Sequence, residues 1–317
     1  MKAYYRVHSV VFKIVHKKDK LFKWLHDEIK YYQLMEPGSS FDCLLTLRPG
    51  RRKFTLPKKA VFSSADEKGR FMYTLGNLLF ILKDKEFLIS VDYHNEEITV
   101  DYAKPQKEIY EIVRAMVKWG FIKSAEEKRM AYIHASAVHY KNKNIIFTGD
   151  TNNGKSSCAM RLLRAGATLI TDDSILIDGD ALIPFTFKTA VDKDFAKRFK
   201  VKQEFLDMGS RSEETKTYQG IDICIFLHIW NSETSKAVDI SYEQALLKLI
   251  RIYKKEVRIT TWHNWDKNMA ENSKLVFEKY SELLKKARPI EFYAGHNEQE
   301  VRKSLLDCIK KRSNTKT

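Results

Sequence analysis

Long hydrophobic runs are missing from this chain of 317 residues. The opening stretch MKAYYRVHSVVFKIVHKK is interrupted by Arg6, His8 and Lys13 before it reaches signal-peptide or membrane-spanning length, and no such run follows. Cysteine is also sparse, with no CxxC pair and no adjacent histidine at metal-ligand spacing. The four cysteines are Cys43, Cys158, Cys224 and Cys308. We therefore expect a cytoplasmic protein with reduced, structural thiols, no membrane contact and no zinc site.

Recognisable nucleic-acid motifs are lacking too, although the formal net charge is +15. That charge suits an acidic partner, such as nucleic acid, an anionic membrane surface or an acidic peptide. No helix-turn-helix, zinc finger or aromatic RNA-binding motif accompanies the charge, so nucleic acid is not the expected partner. Lysine is spread along the whole chain, which also fits a solvated lysine-rich surface.

The first part of the chain is rich in short alternating segments that are typical of strands. Residues 3–104 predict a β-rich domain with one early helix over residues 19–35. Pro105 is well placed to open a second helix, whose end Gly120 would weaken. The strand segments are FDCLLTL, RFMYTL, LLFIL and FLISVDY. We place the domain boundary after this helix, with a β-rich α+β domain over residues 1–128.

Residues 129–317 change to strands alternating with helices, which indicates an α/β domain. The polar segment 207–220 is predicted to be a mobile loop, and a buried strand follows from Ile221. Ser241 and Gln244 form a capping-box pattern ahead of a helix. Further helices are expected over residues 267–286 and 298–310, with the strand PIEFYAG between them.

The segment GDTNNGKSS matches the phosphate-loop pattern G-x-x-x-x-G-K-[ST]. The strand NIIFT precedes it and the helix SCAMRLLRAG follows, so backbone N–H groups and a helix N-terminus would surround a phosphate chain. In that geometry Lys155 would neutralise the β and γ phosphates of ATP, and Ser156 would bind Mg²⁺. A chance match on a glycine turn is the alternative. The candidate nucleotide-binding residues are Gly149, Asp150, Thr151, Asn152, Asn153, Gly154, Lys155, Ser156 and Ser157.

Two adjacent acids, Asp172 and Asp173, come directly after the strand ATLIT. This strand is expected to return parallel to the loop strand through a right-handed crossover, which brings its end to the phosphate edge of the sheet. Adjacent side chains on extended backbone point apart, so we expect divided roles. One carboxylate, Asp172 or Asp173, would accept the proton of an attacking hydroxyl group, and the other would bind the metal or position a group. Turn acids ahead of the strand SILI are the alternative.

A histidine is predicted beside the same loop. The segments YIHASAVHY and NIIFT form a hairpin pattern about Asn142, and reflection across that residue places His134 opposite Asp150. There His134 could orient the reactive phosphate or steer a carboxylate. A purely structural strand histidine is the alternative.

With these residues in place, the segment from His134 to the strand SILI resembles the catalytic core of HPr kinase/phosphorylase. That family shows a histidine opening a strand, ITGDSGxGKS, an alanine- and leucine-rich helix, and a V-A-D-D strand end. The resemblance implies the P-loop fold shared with phosphoenolpyruvate carboxykinase. It also implies an active-site role for His134, phosphate and Mg²⁺ contacts for Lys155 and Ser156, and proton transfer by Asp173. Asp172 is then left to bind the metal or to position a group.

The chain departs from this family in two places. Asn152 and Asn153 replace small loop residues, and the family's later glutamate-bearing segment has a basic counterpart, KTAVDKDFAKRFK. Phosphorolysis and HPr as the substrate are therefore not expected. The β-rich first domain is similar to that of divergent homologues in peptide biosynthesis, including lasso peptide precursor kinases, and would serve substrate recognition.

The sequence predicts an ATP- and Mg²⁺-dependent serine kinase that acts on a peptide or protein, with His134, Lys155, Asp172 and Asp173 as catalytic residues. The basic residues Lys188, Arg198 and Arg211 are candidates for neutralising phosphate charge. A small-metabolite kinase and a nucleotide-binding regulator or NTPase associated with nucleic acid are the alternatives. Monomer and homo-oligomer are both compatible with the sequence.

Overall fold

The computed structural model describes residues 1–34, 40–50, 53–185, 218–260 and 269–310. The chain divides into two compact units, one formed mainly by Met1–Glu127 and the other beginning at Lys128. Both are built from helices and mixed sheets, which confirms the expected α/β class. No described helix is both long and apolar enough to cross a membrane. All four cysteines are buried, and none of them forms a disulfide.

The first unit contains an eight-stranded mixed sheet in the order β1-β2-β3-β8-β7-β6-β5-β4. β2, β3 and β8 are parallel neighbours, and the other pairs are antiparallel. The strands are β1 (Lys2–Val7), β2 (Val10–Val15), β3 (Cys43–Pro49), β4 (Val61–Ala65), β5 (Phe71–Leu75), β6 (Leu78–Lys83), β7 (Phe87–Asp92) and β8 (Glu97–Tyr102).

Two helices pack in this unit, α1 (Lys20–Ile29) and α2 (Lys107–Glu127). α1 is capped by Asp19, whose side chain accepts a hydrogen bond from the Phe22 backbone N–H at 2.9 Å. It buries Leu21, Leu25 and Ile29, and a short 3₁₀ turn (Lys30–Tyr32) follows it. The helix predicted over residues 19–35 is therefore shorter than expected, and residues 35–39 lie outside the described ranges.

The second helix corrects the prediction at both ends. α2 begins two residues after Pro105 and runs through Gly120 to Glu127. A Cβ at Gly120 would lie 2.6 Å from Phe12 Cε2 and 2.9 Å from Cys43 Sγ. Gly120 therefore does not end the helix; it lets the helix approach the sheet closely. The packing gained there offsets the low helix propensity of glycine.

The second unit contains a nine-stranded mixed sheet in its described part, in the order β14-β13-β12-β9-β10-β15-β17-β16, with β11 also paired to β9. The strands are β9 (Ala131–Tyr140), β10 (Lys143–Thr148), β11 (Thr168–Thr171), β12 (Ser174–Asp178), β13 (Ala181–Phe185), β14 (Tyr218–Gln219), β15 (Ile223–Ile229), β16 (Lys236–Asp239) and β17 (Arg288–Ala294). The helices are α3 (Lys155–Leu163), α4 (Tyr242–Thr260), α5 (Met269–Lys286) and α6 (Glu298–Lys310).

The core of this unit lies between one face of the sheet and helices α3 and α6. Ile290 and Phe292 of β17 point into it, so Glu291 between them points to the opposite face, where it binds Lys248 of α4. The capping box ahead of α4 is confirmed: Ser241 N donates to Gln244 Oε1 at 3.0 Å, and Gln244 N to Ser241 Oγ at 3.2 Å. The last helix has the predicted bounds. Most of segment 207–220, and residues 267–268, lie outside the described ranges.

The hairpin of β9 and β10 forms, but its predicted register is wrong by one residue. Thr148 pairs with Ala135, whereas reflection about Asn142 would pair Thr148 with Ser136. Both Lys141 and Asn142 have positive φ values, 50° and 58°, so a two-residue turn centred between them sets the register. Extended by one residue, this register places His134 opposite Gly149 rather than Asp150.

The close approach at Gly120 gives a prediction of definite sign. If helix propensity decided the outcome, Gly120→Ala would stabilise the unit by about 0.5–1 kcal/mol. We expect the opposite, a loss of about 1–3 kcal/mol, because the new methyl group overpacks against the buried Phe12 ring. Urea denaturation of wild type and variant measures the difference, and a gain in stability would contradict the packing argument.

Candidate functional site

Residues 149–156, which form the loop after β10 and the first two positions of α3, are called the glycine loop below. Gly149, Asn152 and Gly154 have positive φ values of 145°, 66° and 84°. A Cβ on Gly149 would lie 2.9 Å from the carbonyl oxygen of Leu227 in β15, so no larger residue fits there. Asn152 occupies the left-handed region that asparagine tolerates. The two glycines of the pattern thus have conformational reasons to be where they are.

Side chains of the glycine loop hold it to itself and to β15. Lys155 Nζ donates to the carbonyl oxygens of Gly149 and Asp150, each at 3.0 Å, and the residue is buried. Asn153 Nδ2 donates to the Leu227 carbonyl oxygen at 2.8 Å. The first backbone N–H groups of α3 have no acceptor within the helix, so the positive end of the helix dipole faces the loop. This geometry suits an anion.

The two acids lie at the junction of two collinear strands. β11 and β12 both pair antiparallel with β9, so β12 continues in the direction of β11 along the same edge. Asp172 and Asp173 fall between them, and the Asp173 carbonyl accepts a hydrogen bond from Ala135 N at 3.1 Å. The chain bends at these two residues without reversing its direction, and a purely structural role for the two acids remains the alternative. β10 occupies the other edge of β9, so β11 runs parallel to β10 without touching it.

Asp172 lies beside two hydroxyl groups. Ser136 Oγ donates to Asp172 Oδ1 at 2.7 Å, and the Ser156 hydroxyl is close enough to influence the same carboxyl. Burial raises the pKa of Asp172 to about 6, although both serine hydroxyls lower it, and the neighbouring negative charge of Asp173 raises it further. The glycine loop and the acidic pair therefore meet through Ser156 and Asp172.

Asp173 faces His134. His134 Nδ1 lies 2.9 Å from the Asp173 carbonyl oxygen and 3.4 Å from its carboxylate Oδ1. A carbonyl oxygen only accepts, so Nδ1 carries the hydrogen and donates it. Ser174 Oγ donates to Asp173 Oδ2 at 3.0 Å. The site thus separates into two pairs, Ser156 with Asp172 and His134 with Asp173.

Two site residues were missed by the sequence analysis. Ser136 is completely buried, and it shares a face of β9 with His134 in an otherwise apolar segment; this alternation was a usable signal. Lys255 of α4 donates to Asp150 Oδ1 at 2.6 Å and holds the pKa of Asp150 below its usual range. Nothing local in the sequence links these two distant positions. The candidates Lys188, Arg198 and Arg211 lie outside the described residues.

The donor set bears on the predicted metal. Within the described ranges, no three His, Cys, Asp or Glu side chains are grouped so that they could hold a metal ion by themselves. Mg²⁺ rarely uses such a cage; it is usually bound by one or two protein oxygens, the phosphates of the substrate and water. The hydroxyl of Ser156 beside the Asp172 carboxyl fits that second mode.

Comparison with known proteins gives limited information. No protein-family model matches the sequence, and no curated protein matches it either. The solved Hpr(Ser) kinase/phosphatase from Coxiella burnetii aligns with 34% of this chain and 72% of that chain, at 16% identity and a TM-score of 0.19. A TM-score this low carries no argument, so the resemblance described above stays a prediction.

The raised pKa of Asp172 predicts a pH-dependent gain from Asp172→Asn. The ordinary pKa of an aspartate is 3.8, and that of Asp172 in the folded protein is about 6. At pH values between these two, the Asp172 carboxyl keeps its proton in the folded protein but loses it in the unfolded chain. Wild-type stability therefore falls as pH rises through this window, and the amide variant escapes that loss. We expect the variant to be more stable by about 1–2 kcal/mol at pH 7.5, allowing for partial exposure, and by less at pH 4.5.

Urea denaturation at the two pH values measures this difference. The same substitution at the exposed Asp178, on β12, serves as the control and should give no pH-dependent gain. A gain at Asp172 that is equal at both pH values would show that charge burial is not its cause.

Proposed function

We propose that this protein is an ATP- and Mg²⁺-dependent serine kinase that phosphorylates a peptide or protein. The observation that carries the proposal is the closeness of the Ser156 hydroxyl to the Asp172 carboxyl, whose pKa it lowers. It brings the first turn of α3, after the glycine loop, to an acidic pair that lies between β11 and β12. A phosphate chain on the loop and a metal on this pair would be adjacent.

In the proposed complex, the glycine loop and Lys155 hold the phosphates of ATP. Ser156 and Asp172 hold Mg²⁺, which when bound would neutralise charge on the β and γ phosphates. Lys155 already directs its ammonium across the loop, to the carbonyl oxygens of Gly149 and Asp150. Only a small displacement would bring that ammonium to a bound phosphate.

Transfer then requires a base for the acceptor. The serine hydroxyl oxygen forms a bond to the γ-phosphorus, the bond from this phosphorus to the β–γ bridging oxygen breaks, and ADP leaves. Asp173 takes the hydroxyl proton. Three features support its role: its half-buried position, its distance of 3.4 Å from His134 Nδ1, and the Ser174 hydrogen bond that orients it. Because the hydrogen of the neutral His134 ring is on Nδ1, its Nε2 is a hydrogen-bond acceptor.

The net charge and the first unit both favour a peptide as the phosphate acceptor. A net charge of +15 favours association with an acidic or phosphorylated peptide over a neutral metabolite. We propose that the β-rich unit ending at Glu127 recognises this peptide, as the resemblance to precursor-peptide kinases implies. A lasso-type precursor is the specific acceptor that this resemblance suggests.

Substitution of the proposed base tests the function. Phosphate transfer from labelled ATP to acidic serine-containing peptides, including those encoded beside the gene, would be compared for wild type and Asp173→Asn. We expect the transfer rate to fall by about 10²–10⁴, since general base catalysis contributes that much. ATP affinity should stay within about threefold, because Asp173 is not assigned a contact with the bound nucleotide.

Two further variants complete the design. Asp178→Asn makes the same chemical change on an exposed position of β12 and should transfer phosphate at the wild-type rate. Lys155→Ala should lose ATP binding itself. Equal transfer by wild type and Asp173→Asn would remove Asp173 from the base role. Nucleotide binding with transfer only to small hydroxylated metabolites, or with salt-sensitive nucleic-acid retention, would replace the peptide-kinase proposal.

A further inference from the structure

Three aromatic side chains gather where β15 and β17 end. His228 and Tyr293 are register partners, and their rings stack with centroids 4.9 Å apart at 20°. Trp230 follows β15 and meets Tyr293 edge-on, at 6.2 Å and 70°. Its backbone N–H still donates to the Ala294 carbonyl oxygen at 2.9 Å, so sheet pairing fixes its position. We call this group the aromatic ledge (His228, Trp230 and Tyr293).

A half-buried carboxylate, Glu291, orients the aromatic ledge. Glu291 accepts hydrogen bonds from the Tyr293 hydroxyl at 2.9 Å and from Lys248 Nζ at 2.5 Å, and His228 Nε2 lies 3.4 Å from its Oε1. Burial alone would raise the pKa of Glu291, but the hydrogen bonds from Lys248 and Tyr293 bring it below the usual range. The carboxylate is thus charged at neutral pH and keeps the Tyr293 ring in place.

The ledge is open to solvent although the strand before it is buried. Ile223 to Leu227 are buried, whereas Trp230 is 37% exposed and the His228 side chain is also 37% exposed. An indole at an exposed strand end contributes little to the core. A rigid, partly exposed aromatic surface of this kind suits stacking with a flat ligand.

The ledge and the glycine loop are connected through β15. β15 is the parallel neighbour of β10. The carbonyl oxygen of its Leu227 accepts a hydrogen bond from Asn153 and leaves no room for a side chain at Gly149. Trp230 comes three residues later, which places it about 10 Å farther along the extended chain. Ligands of open α/β sheets bind at the carboxyl ends of the strands, and both features lie at that edge. A ribose and a phosphate chain can span this distance.

We propose that the aromatic ledge stacks the purine base of the nucleotide whose phosphates occupy the glycine loop. This inference rests on the proposed function for the phosphate half of the site. Trp230 supplies the exposed π-face, and Tyr293 and His228 support it from the side. Because every base has a π-face, the ledge would strengthen nucleotide binding through stacking more than through base-specific hydrogen bonds.

Binding of MgATP and of magnesium tripolyphosphate, measured by calorimetry, separates the two halves of the site. We expect wild type to bind MgATP at least about tenfold more tightly than tripolyphosphate, since one stacked base contributes that much. Trp230→Ala should remove most of this preference and leave tripolyphosphate affinity unchanged. Trp230→Phe, which keeps an aromatic face, should retain the preference to within about threefold.

Ile229→Ala is the matched control, because Ile229 is adjacent, 64% exposed and outside the ledge; it should bind both ligands as wild type does. Unchanged MgATP affinity in Trp230→Ala would overturn the proposal, and so would an effect confined to the acceptor peptide's KM. If wild type binds tripolyphosphate and MgATP equally tightly, base stacking on the ledge is rejected and the phosphate site of the proposed function is kept. Failure of wild type to bind either ligand would reject the proposed function and the ledge together.

Discussion

Strand β9 determines where the parts of the candidate site lie relative to one another. One edge of β9 pairs with β10, which leads into the glycine loop, and the other edge pairs with β11 and β12, which flank the acidic pair. His134 and Ser136 belong to β9 itself and contact Asp173 and Asp172. Every catalytic candidate is thus attached to one strand or to its direct neighbours. A change in either register would separate the loop from the acids.

Holding two carboxylates side by side at this position costs stability, and the surrounding side chains reduce that cost unequally. Asp172 accepts a hydrogen bond from Ser136 and lies near the Ser156 hydroxyl, yet its pKa is still raised to about 6. Within the described residues, no ammonium or guanidinium group forms an ion pair with it. A site that bound a divalent cation would compensate this acid, because the cation supplies the missing positive charge. The uncompensated charge of Asp172 thus lowers the stability of the folded protein, as is common at functional sites.

Much of the architecture follows from local sequence signals, and the misses have physical reasons. The strand–loop–helix unit, the Ser241–Gln244 capping box and the last helix were all predictable from spacing and capping chemistry. The extent of α2 was not, because tertiary packing against Phe12 overrides the low propensity of Gly120. The hairpin register depended on which two residues take positive φ, and sequence reflection cannot decide this to one position.

Predicting the site met the same limit. Adjacent acids after a strand could be recognised, but their place inside a continuous line along β9 depends on long-range pairing. The pair of Lys255 and Asp150 and the cluster around Glu291 join segments that are distant in the chain. Lysine is so common here that no single one stands out. Such contacts come from the assembled sheet and not from any local pattern.

Helix α4 contacts both Glu291, which orients the aromatic ledge, and the glycine loop, and the two contacts differ in burial. Lys248 and Lys255 lie two helical turns apart on one face of α4, a separation of about 10 Å, which matches the spacing of the aromatic ledge and the glycine loop. Lys248 binds the mostly buried Glu291, whereas Lys255 and Asp150 are 55% and 54% exposed. An exposed ion pair contributes only about 0–1 kcal/mol. The contact of α4 with Glu291 is therefore the less exposed of the two. Under the proposed function, Lys255 would leave Asp150 for a bound phosphate.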